Sequence, residues 1–540
     1  MTNRLFYGDC LEVMKTLPDE CCDLIYLDPP FNSNATYNLL FSSPAGDQAR
    51  AQIEAFDDTW HWGEQSAREY KDIQKTAPTD VSNMLVALID FLGTNDVTAY
   101  LVMMVSRLLE LKRLMKNTAS IYLHCDPSAS HYLKIVLDGI FGAENFKNEI
   151  VWRRNAAKGQ QTKRYASNHD IIFFYSKTDE YYFNPEKALA PYDLDSLDEK
   201  TISQYSKIDE KGRRYQLTSL LNPNPNRPNL TYEFLGVERV WRWTKERMEE
   251  AYKQGLVVQA KPGTVPRYKR YLDEQRGRLF DDLWTDISPI HSKSVERLGY
   301  PTQKPIELLD RIIDVSCPEN GCVMDPFCGC GTSVYSAQKN NRNWVGIDIT
   351  HLAISLIERR LKDAFPACSF ETLGTPKDFE SAADLAQRDK YQFQWWALSL
   401  IDAQPYKDKK KGADGGIDGQ MFFDDGNLRK ILVSVKGGMN VSVSMIRDLI
   451  GTIKNNKAEI GIFLTLAKPT RPMIVEALNA GYYESEHFPS KGFPRIQIIT
   501  IEGLMNETER AVYPDLTQGG YNFKKAQKEK EDGQQQKLPL

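Results

Sequence analysis

Residues Gly321–Thr350, GCVMDPFCGCGTSVYSAQKNNRNWVGIDIT, constrain the fold more than any other stretch of the chain. An apolar strand (Cys322–Met324) runs into a loop holding Gly329 and Gly331. A helix (Thr332–Gln338) follows, then a second apolar strand (Trp344–Ile347) that ends on Asp348. Strand, glycine turn, helix and strand make a βαβ unit, whose two strands lie parallel in one sheet with the helix covering a face. Glycine lets the backbone turn tightly ahead of the helix and lets a ligand approach the main chain.

An acid at the end of the second strand is placed to accept hydrogen bonds from ribose hydroxyls. The loop is not G-x-G-x-x-G, and no Lys-Ser/Thr follows the glycines to hold a triphosphate. The pattern favours a nucleoside without phosphate, such as S-adenosylmethionine. A ligand-free βα turn is the plain alternative, and Asp325-Pro326-Phe327 together with Asp348 argue against it.

A second stretch is as unusual. IYLDPPFNSNATY (Ile25–Tyr37) places an acid, two prolines and an aromatic directly after a buried-looking run. Neither proline can donate a ladder hydrogen bond and both fix φ, so Asp28-Pro29-Pro30-Phe31 reads as a rigid turn aiming a carboxylate and a ring.

Four regions follow from the periodicities. The first, 1–178, mixes strand-like runs (CDLIYL, ASIYLH, DIIFFY) with helical patterns. In VTAYLVMMVSRLLELKRLMK, Leu101, Met104, Leu108, Leu111 and Met115 recur at helical spacing. The second, 179–295, loses that periodicity and carries ten Lys/Arg against five acids between Arg242 and Arg278. The third, 296–370, and the fourth, 385–510, return to α/β character. The tail, 515–540, is polar and of low complexity, which predicts disorder. At 540 residues several domains are expected.

No apolar run approaches a membrane span and the start lacks a signal-peptide layout, so a cytoplasmic chain is expected. Nine cysteines are too sparse for a disulfide scaffold, and Cys328-x-Cys330 has no second pair at zinc spacing. A net charge of −5 excludes a uniformly basic coat but not a local basic cleft.

Asp28-Pro29-Pro30-Phe31 followed by DPFCGCGT resembles the amino-directed DNA methyltransferases, in the β-class order with the catalytic quartet ahead of the cofactor loop. Gly8-Asp9-Cys10, NHDIIFFYSK (Asn168–Lys177) and Tyr300–Pro305 resemble further pieces in the expected sequence. The resemblance implies a Rossmann-like α/β core using S-adenosylmethionine, with 179–295 as a target-recognition insertion. It implies that Asp325, Phe327, Gly329 and Gly331 border the cofactor and that Asp348 holds its ribose. Asp9 would lie near the adenine, and Thr302 with Lys304 near the carboxylate. Double-stranded DNA is the implied partner, and a homodimer or a restriction-system subunit are the assemblies it admits.

The quartet has chemistry to match. An exocyclic amino group is a poor nucleophile because its lone pair is delocalised into the ring. Asp28 and the Pro29 carbonyl, fixed by proline, supply two acceptors for its N–H bonds. Phe31 offers a stacking wall for a flipped base. No Pro-Cys occurs, which sets aside C5-cytosine chemistry. The aspartate-led quartet favours N6 of adenine, with N4 of cytosine open.

GADGGIDGQMFFDDGNLRKILVSVKGG (Gly412–Gly438) resembles the core of Mrr-like restriction endonuclease domains, with Asp418 and Lys436 in the matching places. Such a site would bind Mg²⁺ through clustered carboxylates. Ser434 stands where Glu or Gln is usual, and Gln394 where the preceding helix often carries an acid. Asp414, Asp424 and Asp425 are further candidate acids. Both an active nuclease, making a single-chain restriction–modification protein, and a non-catalytic DNA-binding module fit this pattern.

Overall fold

The computed structural model describes residues 3–30, 61–154, 163, 165–194, 197–291, 294–300, 302–406, 416–516 and 529, and the backbone of 36–41 and 51–57. Phe31, Asp414 and nearly all of the polar tail lie outside them. Two compact units result, one of Met1–Phe183 with Asp282–Leu540 and one of Asn184–Asp281.

The larger unit is built on a nine-stranded sheet. Its strands are β1 (Asn3–Tyr7), β2 (Cys22–Leu27), β3 (Met115–Cys125), β4 (Phe146–Arg153), β5 (His169–Ser176), β6 (Leu283–Trp284), β7 (Cys322–Asp325), β8 (Asn343–Asp348) and β9 (Phe370–Leu373). They run in the order β6-β4-β5-β3-β2-β7-β8-β1-β9. Pairing is parallel except where β5 meets β3 and β4. Every residue of β2 is buried, as a central parallel strand covered on both faces requires. Asp23 survives there because its carboxylate holds Lys116 at 2.8 Å and accepts from Cys322 N–H at 2.8 Å.

β2 and β7 are neighbours, with Leu24 beside Val323 and Ile25 beside Met324. From β2 the sheet continues through β3 on one side, and from β7 through β8 on the other. Connections leaving in opposite directions open a crevice beyond the carboxyl ends of the two strands. Asp28 and the glycine loop emerge into that crevice.

The covering helices follow the periodicities. They include α1 (Cys10–Lys15), α2 (Asp96–Leu114), α3 (Pro127–Phe141), α4 (Ile306–Ser316), α5 (Thr332–Lys339) and α6 (His351–Ala364). An Asn95–Thr98 capping box starts α2. Leu101, Met104, Leu108 and Leu111 face the core as their spacing predicts. Met115 is a correction: it is extended, pairs with Cys22 and opens β3.

Two helices, α7 (Phe379–Arg388) and α8 (Lys390–Ser399), lead into a five-stranded sheet. Its strands are β10 (Gln404–Pro405), β11 (Gly419–Asp424), β12 (Leu428–Lys436), β13 (Ile460–Thr465) and β14 (Ile496–Thr500), in that order. β11 and β12 form an antiparallel hairpin, and β12, β13 and β14 run parallel.

The smaller unit has its own core of Leu220, Phe234, Val237, Trp241, Met248, Ala251 and Val257. Its main sheet pairs Arg214–Ser219 with Arg267–Tyr271. Arg213 stacks 3.9 Å over Tyr271 and Arg247 lies 4.4 Å over Trp243. Among the described residues no helix is long and apolar enough to cross a membrane.

Candidate active site

A cavity of about 490 Å³ fills the crevice, lined by both unusual stretches although they lie nearly three hundred positions apart. Asp28, Pro29 and Pro30 come from the end of β2, and Asp325–Cys330 from the end of β7. Asp9, Thr302, Lys304 and Asp348 also line it.

Asp28 is largely buried and shares a close ion pair with Lys304, whose ammonium also donates to the Thr302 carbonyl at 3.3 Å. The pair uses one carboxylate oxygen, Oδ2. The other, Oδ1, is buried and accepts no hydrogen bond from the described residues. A buried acceptor left open costs free energy, so the cavity holds an oxygen primed for an N–H donor. Lys304 thus bonds to the quartet itself.

The glycine loop is shaped by sterics. Gly331 caps α5 in the left-handed region (φ 71°), and a Cβ there would sit 2.7 Å from Ile357. Gly329, at φ 51°, donates its N–H to Asp348 Oδ2 at 2.9 Å. Thr350 binds the other oxygen of Asp348 through both N–H and Oγ at 2.9 Å. Asp325 accepts from Phe327 N–H at 2.9 Å and from the Ser333 hydroxyl.

Burial pushes Asp325 up to about 7 and Asp348 up to about 6, and these hydrogen bonds hold both lower than burial alone would. Carboxylates crowded in a closed space favour a cationic ligand.

Asp9 caps α1 through Leu11 N–H at 2.9 Å and pairs with Arg107 at 2.9 Å. Arg107 escaped the sequence reading. Its signal is position, because it lies on the apolar stripe of α2 between Met104 and Leu108, where a solvated arginine is out of place. Tyr300, which opens the Tyr300–Pro305 segment, also lines the cavity, as do Gln392 and Trp395, which no motif singles out.

In the C-terminal domain the structure brings Asp418 and Lys436 together at 3.7 Å. Asp418 accepts from Val435 N–H at 2.7 Å and Ser434 Oγ at 3.3 Å. Asp425 is a correction. It bonds Tyr483 and Ser485 and pairs with His487 beyond the far end of β11. With Asp424 it lies about 20 Å from Asp418 at the rise of an extended strand, too far to share a cation. Among the described residues no group of three His, Cys, Asp or Glu is arranged to hold a metal.

Residues 22–359, more than half of the chain, match the DNA methylase family of N6/N4 type. The protein belongs to that family. Residues 385–481 match the Mrr-type restriction endonuclease family. Among curated relatives, the type II methyltransferase M.EcaI of Enterobacter cloacae is 30% identical over 266 residues, covering 48% of this chain and 57% of its own. The Mod subunit of the type III restriction–modification enzyme StyLTI of Salmonella typhimurium is 24% identical over 361 residues, covering 63% and 50%. The chain therefore spans about half the length of these relatives. The solved PvuII DNA methyltransferase (cytosine-N4-specific) overlays at 12% identity over 66% of this chain and 86% of that one, with a TM-score of 0.32.

Proposed function

We propose that this member of the N6/N4 DNA methylase family methylates an exocyclic amino group of a base flipped out of DNA, with N6 of adenine as the target. The observation that carries the reading is Asp28 Oδ1, a buried acceptor without a partner in a cavity shared with the glycine loop.

The residues present fit S-adenosylmethionine. The cavity falls within the size range of small-molecule sites. Asp325 and Asp348 suit a ligand bearing sulfonium and ammonium charges. Asp348 would hold the ribose hydroxyls and Asp9 the region of the adenine. When bound, the cofactor supplies an electrophilic methyl group on sulfur.

The chain's own contribution is positioning. Lys304 engages Asp28 Oδ2 and thereby fixes the direction of Oδ1. Oδ1 and the Pro29 carbonyl accept the two N–H bonds of the target amine and draw its nitrogen toward tetrahedral geometry. Held geometry of this kind supplies much of the barrier reduction in a direct transfer. Phe31 would wall the flipped base. The cations and aromatics of the 184–281 unit suit phosphate and base contacts. Membership of a restriction system follows from the same reading and from the Mod subunit's likeness.

Incubating DNA with methyl-labelled cofactor and resolving the nucleosides by mass spectrometry tests the proposal. Label in 6-methyladenine is expected; label in 4-methylcytosine would reassign the target, and none in either would end it.

The Asp418–Lys436 approach keeps a second reading open to test, Mg²⁺-dependent cleavage by the C-terminal domain, with Asp418 as the one candidate acid beside Lys436 among the described residues. Unmethylated DNA with Mg²⁺ should then be cut by the native chain and spared by Asp418→Ala and Lys436→Ala. Intact DNA with the native chain would leave the domain a docking module.

A further inference from the structure

The cofactor cavity is not closed by the methyltransferase core alone. Asp389, Gln392 and Trp395, which line it, lie at the start of and along α8, the helix that opens the endonuclease-like domain. Gln392 and Trp395 are three apart and share one face. Gln394 lies on the opposite face and donates to the Asp418 carbonyl at 3.3 Å. Leu398, a further four residues on, packs where a Cβ on Gly419 of β11 would stand, 2.3 Å away. One turn of helix therefore has the cavity on one side and the β11 strand on the other.

The seam between core and α8 is specific. Gln392 Oε1 accepts from His351 N–H at 3.0 Å, immediately after the Asp348-Ile349-Thr350 turn. His351 stacks on Tyr7, centroids 3.6 Å apart, and Arg359 of α6 pairs with Asp402. With its oxygen engaged, Gln392 keeps its NH₂ to donate, and the residue lines the cavity. Trp395 is 7% exposed and borders the same space. A buried indole beside a pocket for a nucleoside gives a purine a flat apolar wall, and an amide donor beside it can bond a ring nitrogen.

We propose that the endonuclease-like domain supplies part of the S-adenosylmethionine site, with Trp395 and Gln392 as nucleoside-binding residues. This rests on the methyltransferase reading above. The cofactor then binds the two-domain chain, and removing residues from 385 onward takes away a wall of the site along with the second domain.

The test uses the full-length chain and S-adenosylhomocysteine, with calorimetric binding and thermal melting on each protein. Trp395→Ala should weaken binding about tenfold, the scale of one lost base–aromatic stack. Trp395→Phe should restore most of it, and Gln392→Ala should weaken binding severalfold with the melting temperature unchanged. Ligand should also change the tryptophan fluorescence of the native chain, and that change should be reduced in Trp395→Phe. Native-like affinity in folded Gln392→Ala, together with an undiminished fluorescence response in Trp395→Phe, overturns the proposal. Failure of the native chain itself to bind strikes instead at the methyltransferase reading.

Discussion

The aspartate–lysine pairs at the two candidate sites are made in different ways. Asp28 and Lys304 are 276 positions apart and meet because α4, which Lys304 leads into, packs its Leu308, Leu309 and Ile312 in one core with Leu24 and Tyr26 of β2. Asp418 and Lys436 are 18 positions apart and meet because β11 and β12 form a hairpin. The first pair stands in a cavity of about 490 Å³ beside the buried Asp325 and the partly buried Asp348, with one oxygen of Asp28 left open. At the second, the carboxylate already accepts from a neighbouring main-chain N–H and a serine, and Asp425, past the far end of β11, bonds Tyr483 and Ser485 instead. A local pair is easily formed by a short turn. A pocket whose parts come from distant strands needs the whole sheet to be right.

The comparison breaks first at Asp28. Asp28→Ala should reduce methyl transfer by about 10²–10³-fold, the scale of losing one positioned polar group in a closed site, whereas Asp418→Ala should leave it unchanged. Equal losses, read as labelled methyl incorporation, would erase the distinction.

Stability should differ next. Lys304→Met strands a buried carboxylate and should cost about 3 kcal/mol in denaturant unfolding. Lys436→Met, where the lysine is 33% exposed against 8% for Lys304 and Asp418 keeps two other donors, should cost about 1 kcal/mol or less.

A pH test sharpens the cavity's side. Asp348 and Asp325 stand at about 6 and 7, above their unfolded values. Such groups bind more protons in the folded state, so their contribution to stability is complete below about pH 4 and is lost as pH rises through those values. A cationic ligand prefers the ionised forms, so affinity for S-adenosylmethionine should rise across the same window with release of protons. Calorimetry in two buffers of different ionisation enthalpy measures the release, and Asp348→Asn should diminish it.

A further stability contrast is expected at glycines. Gly331→Ala, strained at φ 71° and crowding Ile357, should lower stability by about 1–3 kcal/mol in thermal melts. Gly438→Ala, with open space around it and no positive φ, should be nearly silent.

Much of this contrast was legible before any coordinates. The apolar run of β2, broken by Asp23, and the strand–glycine–helix–strand order around Asp348 are local patterns, and both folded as those patterns require. The spacing on α2 also held until Met115, where an extended partner, Cys22, overrode the helical pattern. What could not be read were partners chosen by topology. Lys304 was placed by resemblance beside the cofactor's carboxylate, and in the fold its ammonium grips Asp28. Arg107 and Trp395 carry no motif and reach the cavity only through helix packing.

Binding and turnover measured together on three proteins test the central claim most directly. The native chain should bind one equivalent of S-adenosylhomocysteine and methylate DNA. Asp348→Ala should lose binding, and Asp28→Ala should keep binding while losing methylation. A native chain that binds nothing, or an Asp28→Ala variant that methylates at the native rate, would contradict the account.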